Sequence, residues 1–187
     1  MESTTVYFEK PGKENTAETL RIAKKRAEEL GIKTVIVATT FGDTAAEAVK
    51  VFKGMKVVIV SHAAGFTTPD INTFTEENRA KVVKGGGIIV TGTHLFAGVS
   101  RAMRNQFSTY SLNDIVANTL KILGQGMKVV AEIAVMAADA GAVDSKEDVI
   151  SIAGTARGAD TAVVLRPVYS SQFFNLKIKE IICKPRL

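Results

Sequence analysis

The stretch that decides the fold reads Thr34-Val35-Ile36-Val37-Ala38-Thr39-Thr40-Phe41-Gly42-Asp43-Thr44. It opens with an uninterrupted apolar run rich in β-branched residues, which predicts a buried strand over 34–39. Apolar residues then recur at helical spacing from Ala45 to Phe52, so a helix follows, with Asp43 or Thr44 predicted as its cap. A buried strand that passes through a glycine turn into a helix is typical of α/β proteins.

Strand and helix alternate along most of the chain. Further buried strands are predicted at 56–60, 87–91 and 149–153, each apolar on successive residues. Helices are predicted at 16–30, from 75 onward, and near 111–123 and 127–140. At the first of these, Asn15 and Glu18 match a capping box and Gly31 suits the left-handed end. Because strands that are apolar on both faces must be covered on both sides, these patterns predict a three-layer α/β/α fold with a mostly parallel sheet.

The C-terminal part of the chain predicts antiparallel strands. Seven residues separate the strand at 149–153 from the next apolar run at 161–165, too few for a crossover helix. Leu176, Ile178 and Ile182 then nearly alternate with lysines, which predicts an edge strand with one exposed face. We therefore expect one α/β ligand-binding domain over residues 1–187.

Composition argues against several classes of function. Hydrophobic residues make up 46% and charged residues 23%, the balance of a globular protein, and no apolar run reaches the roughly 18 residues of a membrane helix. The N-terminus lacks the pattern of a secretory signal, so a cytoplasmic location is expected. One cysteine, Cys183, and two histidines predict neither a disulfide nor a metal site. The net charge is +5, but basic and acidic residues are interleaved and no nucleic-acid-binding motif is present. A small molecule is the expected partner, and a homo-oligomer stays open.

Four segments rich in Gly, Thr, Ser and Ala follow the parallel strands, at 39–44, 61–68, 91–101 and 154–161. Open α/β sheets bind ligands outside the carboxyl ends of their strands, so these loops predict a binding site. At 39–44, helix N-terminal amides and three threonine hydroxyls suit a phosphate, and Gly42 allows a tight turn or a close ligand approach. The alternative is a capped turn with nothing bound. Walker and G-x-G-x-x-G motifs are absent.

Aromatic, basic and histidine side chains in the same loops complete the candidate site. A flat ring could stack on a phenylalanine, and an arginine could contact a phosphate; core packing and plain surface exposure are the alternatives. Arg157 and Asp160 could instead pair with each other to shape their turn, and residues 98–111 are predicted to form a mobile flap. No catalytic residue is assigned, although either histidine could act as an acid or base. The candidate cofactor-binding residues are Thr39, Thr40, Phe41, Gly42, Asp43, Thr44, Ser61, His62, Phe66, Thr93, His94, Phe96, Gly98, Arg101, Thr155, Arg157, Gly158, Asp160 and Thr161.

Residues 34–62 resemble the C-terminal α/β domain of pyruvate kinase, in which a strand leads through a Thr/Ser-Gly turn into an Ala-rich helix. The whole chain is similar to a group of uncharacterised, mainly archaeal stand-alone proteins of this domain type, through residues 7–12, 92–99 and 154–161. That resemblance implies binding of flavin mononucleotide (FMN). It does not imply pyruvate kinase activity, because the catalytic barrel has no counterpart in this sequence. In some pyruvate kinases the same domain binds a sugar bisphosphate effector.

Two classes of function therefore stay open. One is an enzyme that uses bound flavin for redox chemistry. The other is a non-catalytic sensor or regulatory domain that binds a sugar phosphate or another phosphorylated metabolite. Aromatic and small apolar residues in the loops favour a planar ring, with the phosphate at the Gly42 turn and the ring near Phe66, Phe96 and residues 154–161.

Overall fold

A computed structural model describes residues 2–187. The strands are β1 (Val6–Phe8), β2 (Thr34–Thr39), β3 (Lys56–Ser61), β4 (Ile88–Thr91), β5 (Val149–Ala153), β6 (Thr161–Arg166) and β7 (Lys177–Pro185). The α-helices are α1 (Thr16–Leu30), α2 (Asp43–Val51), α3 (Glu76–Lys84), α4 (Gly98–Phe107), α5 (Leu112–Lys121) and α6 (Gln125–Asp139). Two 3₁₀ turns lie at Lys13–Asn15 and Ser170–Asn175.

These strands form one mixed sheet in the order β1-β7-β6-β5-β2-β3-β4. β5, β2, β3 and β4 pair parallel with one another, as the continuous apolar runs predicted, and β4 forms one edge of the sheet. β6 pairs antiparallel with β5 and with β7, which confirms the prediction made from the short 154–160 connection. The edge prediction for the last strand was wrong, because the three-residue β1 pairs parallel with the outer side of β7.

Two hydrophobic clusters cover the two faces of the sheet. Side chains of α1, α2 and α3 pack on one face, and those of α6 pack on the other, with successive residues of β2 and β3 pointing into alternate clusters. α5 packs against α6. The three-layer α/β/α prediction is therefore confirmed. Of the helices in residues 2–187, none combines the length and the apolarity needed to cross a membrane.

The helix ends differ in part from the predictions. Gly31 is left-handed as expected, with φ 68°. The capping box at Asn15 is wrong, because the Asn15 side chain donates to the Lys10 and Gly12 carbonyls while Glu18 pairs with Arg21. The cap of α2 is Gly42 rather than Asp43 or Thr44, and no side chain caps that helix. The first turn of α2 is thus open towards the carboxyl end of the sheet.

Candidate functional site

A cavity of about 280 Å³ lies at the carboxyl ends of β2, β3 and β5. Loops after these strands form its walls, and one side of α6 forms its floor. The predicted residues that line it are Thr39, Thr40, Phe41, Asp43, Thr44, Ser61, His62, Phe66, His94, Arg157 and Gly158. Parallel pairing of β2 with β3 and with β5 brings these loops to one edge, which is where an open α/β sheet places its ligand.

Gly42 sets the direction of α2. Its φ is 97°, and a Cβ there would lie 2.5 Å from both the Phe74 ring and the Asn78 Cβ. The Gly42 amide donates to the Thr39 hydroxyl over 3.1 Å. Glycine is therefore required for the turn and for close packing against α3, and Gly42 does not line the cavity. The amides of the first turn of α2 have no acceptor within the helix, so they remain available to an anion.

An ion pair spans the mouth of the cavity. The Arg157 guanidinium donates from Nε to Asp43 Oδ2 over 2.6 Å and lies 5.1 Å from the centre of the exposed Phe41 ring. The alternative in which Arg157 pairs with Asp160 is wrong, because Arg157 pairs with Asp43. Asp160 is fully buried and accepts from the Gly12 and Thr155 amides, each over 3.1 Å, so its carboxylate holds the turn from inside.

His62, Phe66 and His94 form a compact aromatic cluster on one wall. Phe66 and His94 stack at 4.4 Å between ring centres, and His62 lies 4.5 Å from Phe66. The Ala63 amide donates to His94 Nε2 over 3.4 Å, which puts the proton of the neutral ring on Nδ1. Within residues 2–187, His62 Nδ1 is buried without a hydrogen-bond partner.

Burial lowers the pKa of His94 to about 4 and lowers the pKa of His62 below its usual range, although the Glu132 carboxylate opposes both shifts. Both rings are therefore neutral at pH 7 and could serve as hydrogen-bonding groups. As the pH falls from 6.5 towards 4, an unfolded chain binds a proton at His94 that the folded chain does not, so the free energy of unfolding must decrease over that range.

The floor of the cavity carries a buried ion pair that the sequence analysis missed. Lys128 and Glu132 face each other one turn apart on α6, with the Glu132 carboxylate almost fully buried. The Phe96 amide donates to Glu132 over 3.1 Å, and the Lys128 ammonium lies 5.4 Å from the Phe96 ring. The signal was present, because two charges in a helix that is apolar almost all round have to be buried together.

The remaining predicted residues do not line the cavity. Phe96 is a core residue that packs edge-on against Phe173 at 5.4 Å. Arg101 lies outside the cavity. Its guanidinium donates to the Phe66 carbonyl over 3.0 Å, and its Cζ lies over the Phe66 ring, 4.6 Å from the ring centre. The others outside the cavity lining are Gly42, Thr93, Gly98, Thr155, Asp160 and Thr161. Among residues 2–187, no cluster of three His, Cys, Asp or Glu residues is arranged to hold a metal ion.

The fold is that of a three-layer α/β/α domain with a cavity at the carboxyl ends of its parallel strands. The model of the pyruvate kinase α/β domain family matches residues 17–165, so the chain belongs to that family. Two crystal structures of pyruvate kinase from Cryptosporidium parvum are similar over 80% of this chain, with 13% and 12% sequence identity and TM-scores of 0.39 and 0.37. The chain spans only 23% and 22% of those kinase chains, and the family assignment rests on the family model.

Proposed function

We propose that the strand-end cavity binds a small phosphorylated molecule, with FMN as the specific candidate, and that this chain has no pyruvate kinase activity of its own. The observation that carries the proposal is the convergence of the open α2 N-terminus, three threonines and two basic side chains on one cavity. The family match covers the α/β domain alone, which supports the second part. The mainly archaeal stand-alone group, a cytoplasmic location and the lack of a nucleic-acid partner remain predictions.

The phosphate end of the proposal rests on α2. Its first-turn amides carry the positive end of the helix dipole, and Thr39, Thr40 and Thr44 add hydroxyl groups at the same place. Arg157 is held at the mouth by Asp43, so a phosphate would compete with that carboxylate for the guanidinium. We therefore assign the phosphate to the space between the first turn of α2 and Arg157.

The residues at the ring end fit a flavin in a different way from the one the sequence predicted. Both Phe66 and Phe96 already pack against neighbouring groups, so neither offers a free stacking face. His62 packs against both Phe66 and His94, so the exposed Phe41 ring at the mouth is the remaining platform, with Arg157 over one of its faces. The volume of about 280 Å³ is at the lower limit for ligand sites, so the phosphate and its chain would enter while the ring lay at the open mouth. Bound flavin would supply redox chemistry, and His62 would offer a hydrogen bond to it.

A sugar phosphate is the alternative ligand, and a sensor or regulatory domain is the corresponding function. The small volume and the polar floor favour it, since the Glu132 carboxylate could pair with sugar hydroxyls. A domain of this kind would bind its ligand without turnover.

Titration of FMN into ligand-free protein, followed by quenching of flavin fluorescence, tests the proposal. We expect a dissociation constant in the tens of micromolar or tighter, which corresponds to about 6 kcal/mol or more. Riboflavin, which lacks the phosphate, should bind at least about tenfold more weakly. If FMN does not bind but a sugar bisphosphate does, as measured by calorimetry, the sugar phosphate is the ligand. If neither compound binds, the phosphate site is rejected.

Two further measurements separate the functional classes. Bleaching of bound flavin by NAD(P)H would identify a redox enzyme, whereas a flavin that stays oxidised would favour a sensor. A coupled assay for pyruvate formation should show no activity, and activity above background would contradict the second part of the proposal.

A further inference from the structure

Helix α4 exposes its apolar face. Val99, Met103 and Phe107 are spaced four residues apart and therefore lie along one side of the helix. Val99 is 77% exposed and Phe107 is 68% exposed, while Met103 is partly exposed. An ordinary surface helix turns such a stripe towards the core, so this helix has the reverse orientation.

The polar side chains of α4 make its contacts with the rest of the protein. Arg104 pairs with the buried carboxylate of Asp114, and Ser100 accepts from the Asn113 side chain over 3.1 Å. Arg101 reaches the wall of the cavity at the Phe66 carbonyl. These contacts fix the helix with its apolar stripe pointing away from the protein.

Helix α5 continues the same arrangement. Its Asp114 is buried under Arg104, whereas Leu112 is 67% exposed and Ile115 is also exposed. Ile122, just after the helix, is 74% exposed. The Arg104–Asp114 and Ser100–Asn113 contacts join the two helices, and we call their exposed apolar side chains the α4–α5 stripe, which consists of Val99, Met103, Phe107, Leu112, Ile115 and Ile122.

The size of the α4–α5 stripe matches one half of a protein interface. A fully exposed side chain of these types presents roughly 100 Å², so six of them at about two-thirds exposure present roughly 400 Å². A standard interface buries about 800 Å² on each partner, of which about 450–500 Å² is apolar. The stripe alone supplies most of that apolar area.

We propose that the α4–α5 stripe is the surface on which a second copy of this chain docks, to form a two-fold symmetric dimer. The stripe itself carries no charged residue, and a two-fold axis places the same patch on both partners, so an uncharged apolar surface complements itself. A lipid surface would favour a rim with several basic side chains. Between residues 98 and 123 only Arg101 and Lys121 are free of an acidic partner in residues 2–187. Because Arg101 also covers Phe66, the dimer would hold the cavity wall in place.

Sedimentation equilibrium of the purified chain between about 1 and 100 µM tests the dimer. We expect twice the mass of one chain, and we expect Phe107→Glu and Ile115→Glu each to weaken association at least about thirtyfold. Both side chains are exposed, so circular dichroism should show a folded monomer; should one variant fail to fold, the other decides. Val83→Glu is the matched control, because Val83 on α3 is 62% exposed but lies outside the stripe.

Three results would overturn the proposal. The wild-type chain could remain a monomer at about 100 µM. Association could persist in both stripe variants or be lost equally in Val83→Glu, which would place the interface elsewhere. The chain could be a monomer that sediments with vesicles of phosphatidylcholine and phosphatidylserine, and loses this property in Phe107→Glu, which would assign the stripe to a membrane surface.

Discussion

Replacement of Gly42 by alanine tests how the first turn of α2 is held at the cavity. The residue has a φ of 97°, and its Cβ would point away from the cavity towards α3. There it would approach the buried Phe74 ring and the Asn78 Cβ to 2.5 Å each, closer than real Cβ contacts allow. The substitution therefore combines backbone strain with overpacking.

The expected cost follows from these two terms. A left-handed conformation costs a residue with a side chain about 1–2 kcal/mol. Overpacking of a filled core typically costs about 1–3 kcal/mol. We therefore expect Gly42→Ala to lower the free energy of unfolding by about 2–5 kcal/mol, and larger side chains such as valine to unfold the domain rather than to report on ligand affinity.

Gly54→Ala is the matched control. Gly54 has a similar φ of 88°, but its Cβ would meet no atom of residues 2–187 within 4 Å, so only the strain of about 1–2 kcal/mol applies. Urea unfolding followed by circular dichroism gives both values, since the chain has no tryptophan. Equal losses in the two variants would refute the claim that Gly42 is required by close packing against α3.

Three other predictions concern titratable groups of the site. Because the pKa of His94 is lowered to about 4, lowering the pH from 7.5 to 5 should reduce the free energy of unfolding of the wild-type chain by about 2 kcal/mol more than that of His94→Asn. Urea unfolding at each pH measures both values, and the same pH dependence in the two proteins would contradict this prediction. Lys128→Met should lower the free energy of unfolding by about 3–5 kcal/mol, because it leaves the Glu132 carboxylate buried and unpaired. Adding Glu132→Gln should recover most of this loss. A double variant as unstable as Lys128→Met would show that the unpaired charge is not the cause. Asp43→Asn should free Arg157 and tighten FMN binding about fivefold in a fluorescence titration, while a gain shared equally by riboflavin would exclude a phosphate contact.

The sequence predicts the centre of the sheet well because burial on both faces leaves a direct mark. β2, β3 and β5 are apolar on successive residues, and that pattern gives both their position and their parallel pairing. The antiparallel pairing of β6 with β5 was predicted from the length of the seven-residue connection between them alone. β1 was missed because three residues with mixed exposure carry no periodicity, and its partner β7 comes from the opposite end of the chain.

The candidate site was predicted in part for a similar reason. Strand-end loops can be placed from the sequence, and 11 of the 19 predicted residues line the cavity. The position of a loop does not say which way a side chain points, so Phe96 and Asp160 were named although they are buried structural residues. The floor was missed because Lys128 and Glu132 are spaced like a surface ion pair. Residues 98–111 were predicted as a flap because their periodicity is weak, although residues 98–107 form α4.

The central claim is that a phosphorylated ligand binds between the first turn of α2 and residues 154–158. The most direct measurement is an amide NMR titration of the isotope-labelled chain with FMN, and with riboflavin in parallel. We expect the largest shifts at the amides of residues 39–45 and 154–158, with the shifts at 39–45 absent or much smaller for riboflavin. Binding of FMN with shifts confined to other parts of the chain, or identical shifts from both compounds, would contradict the account.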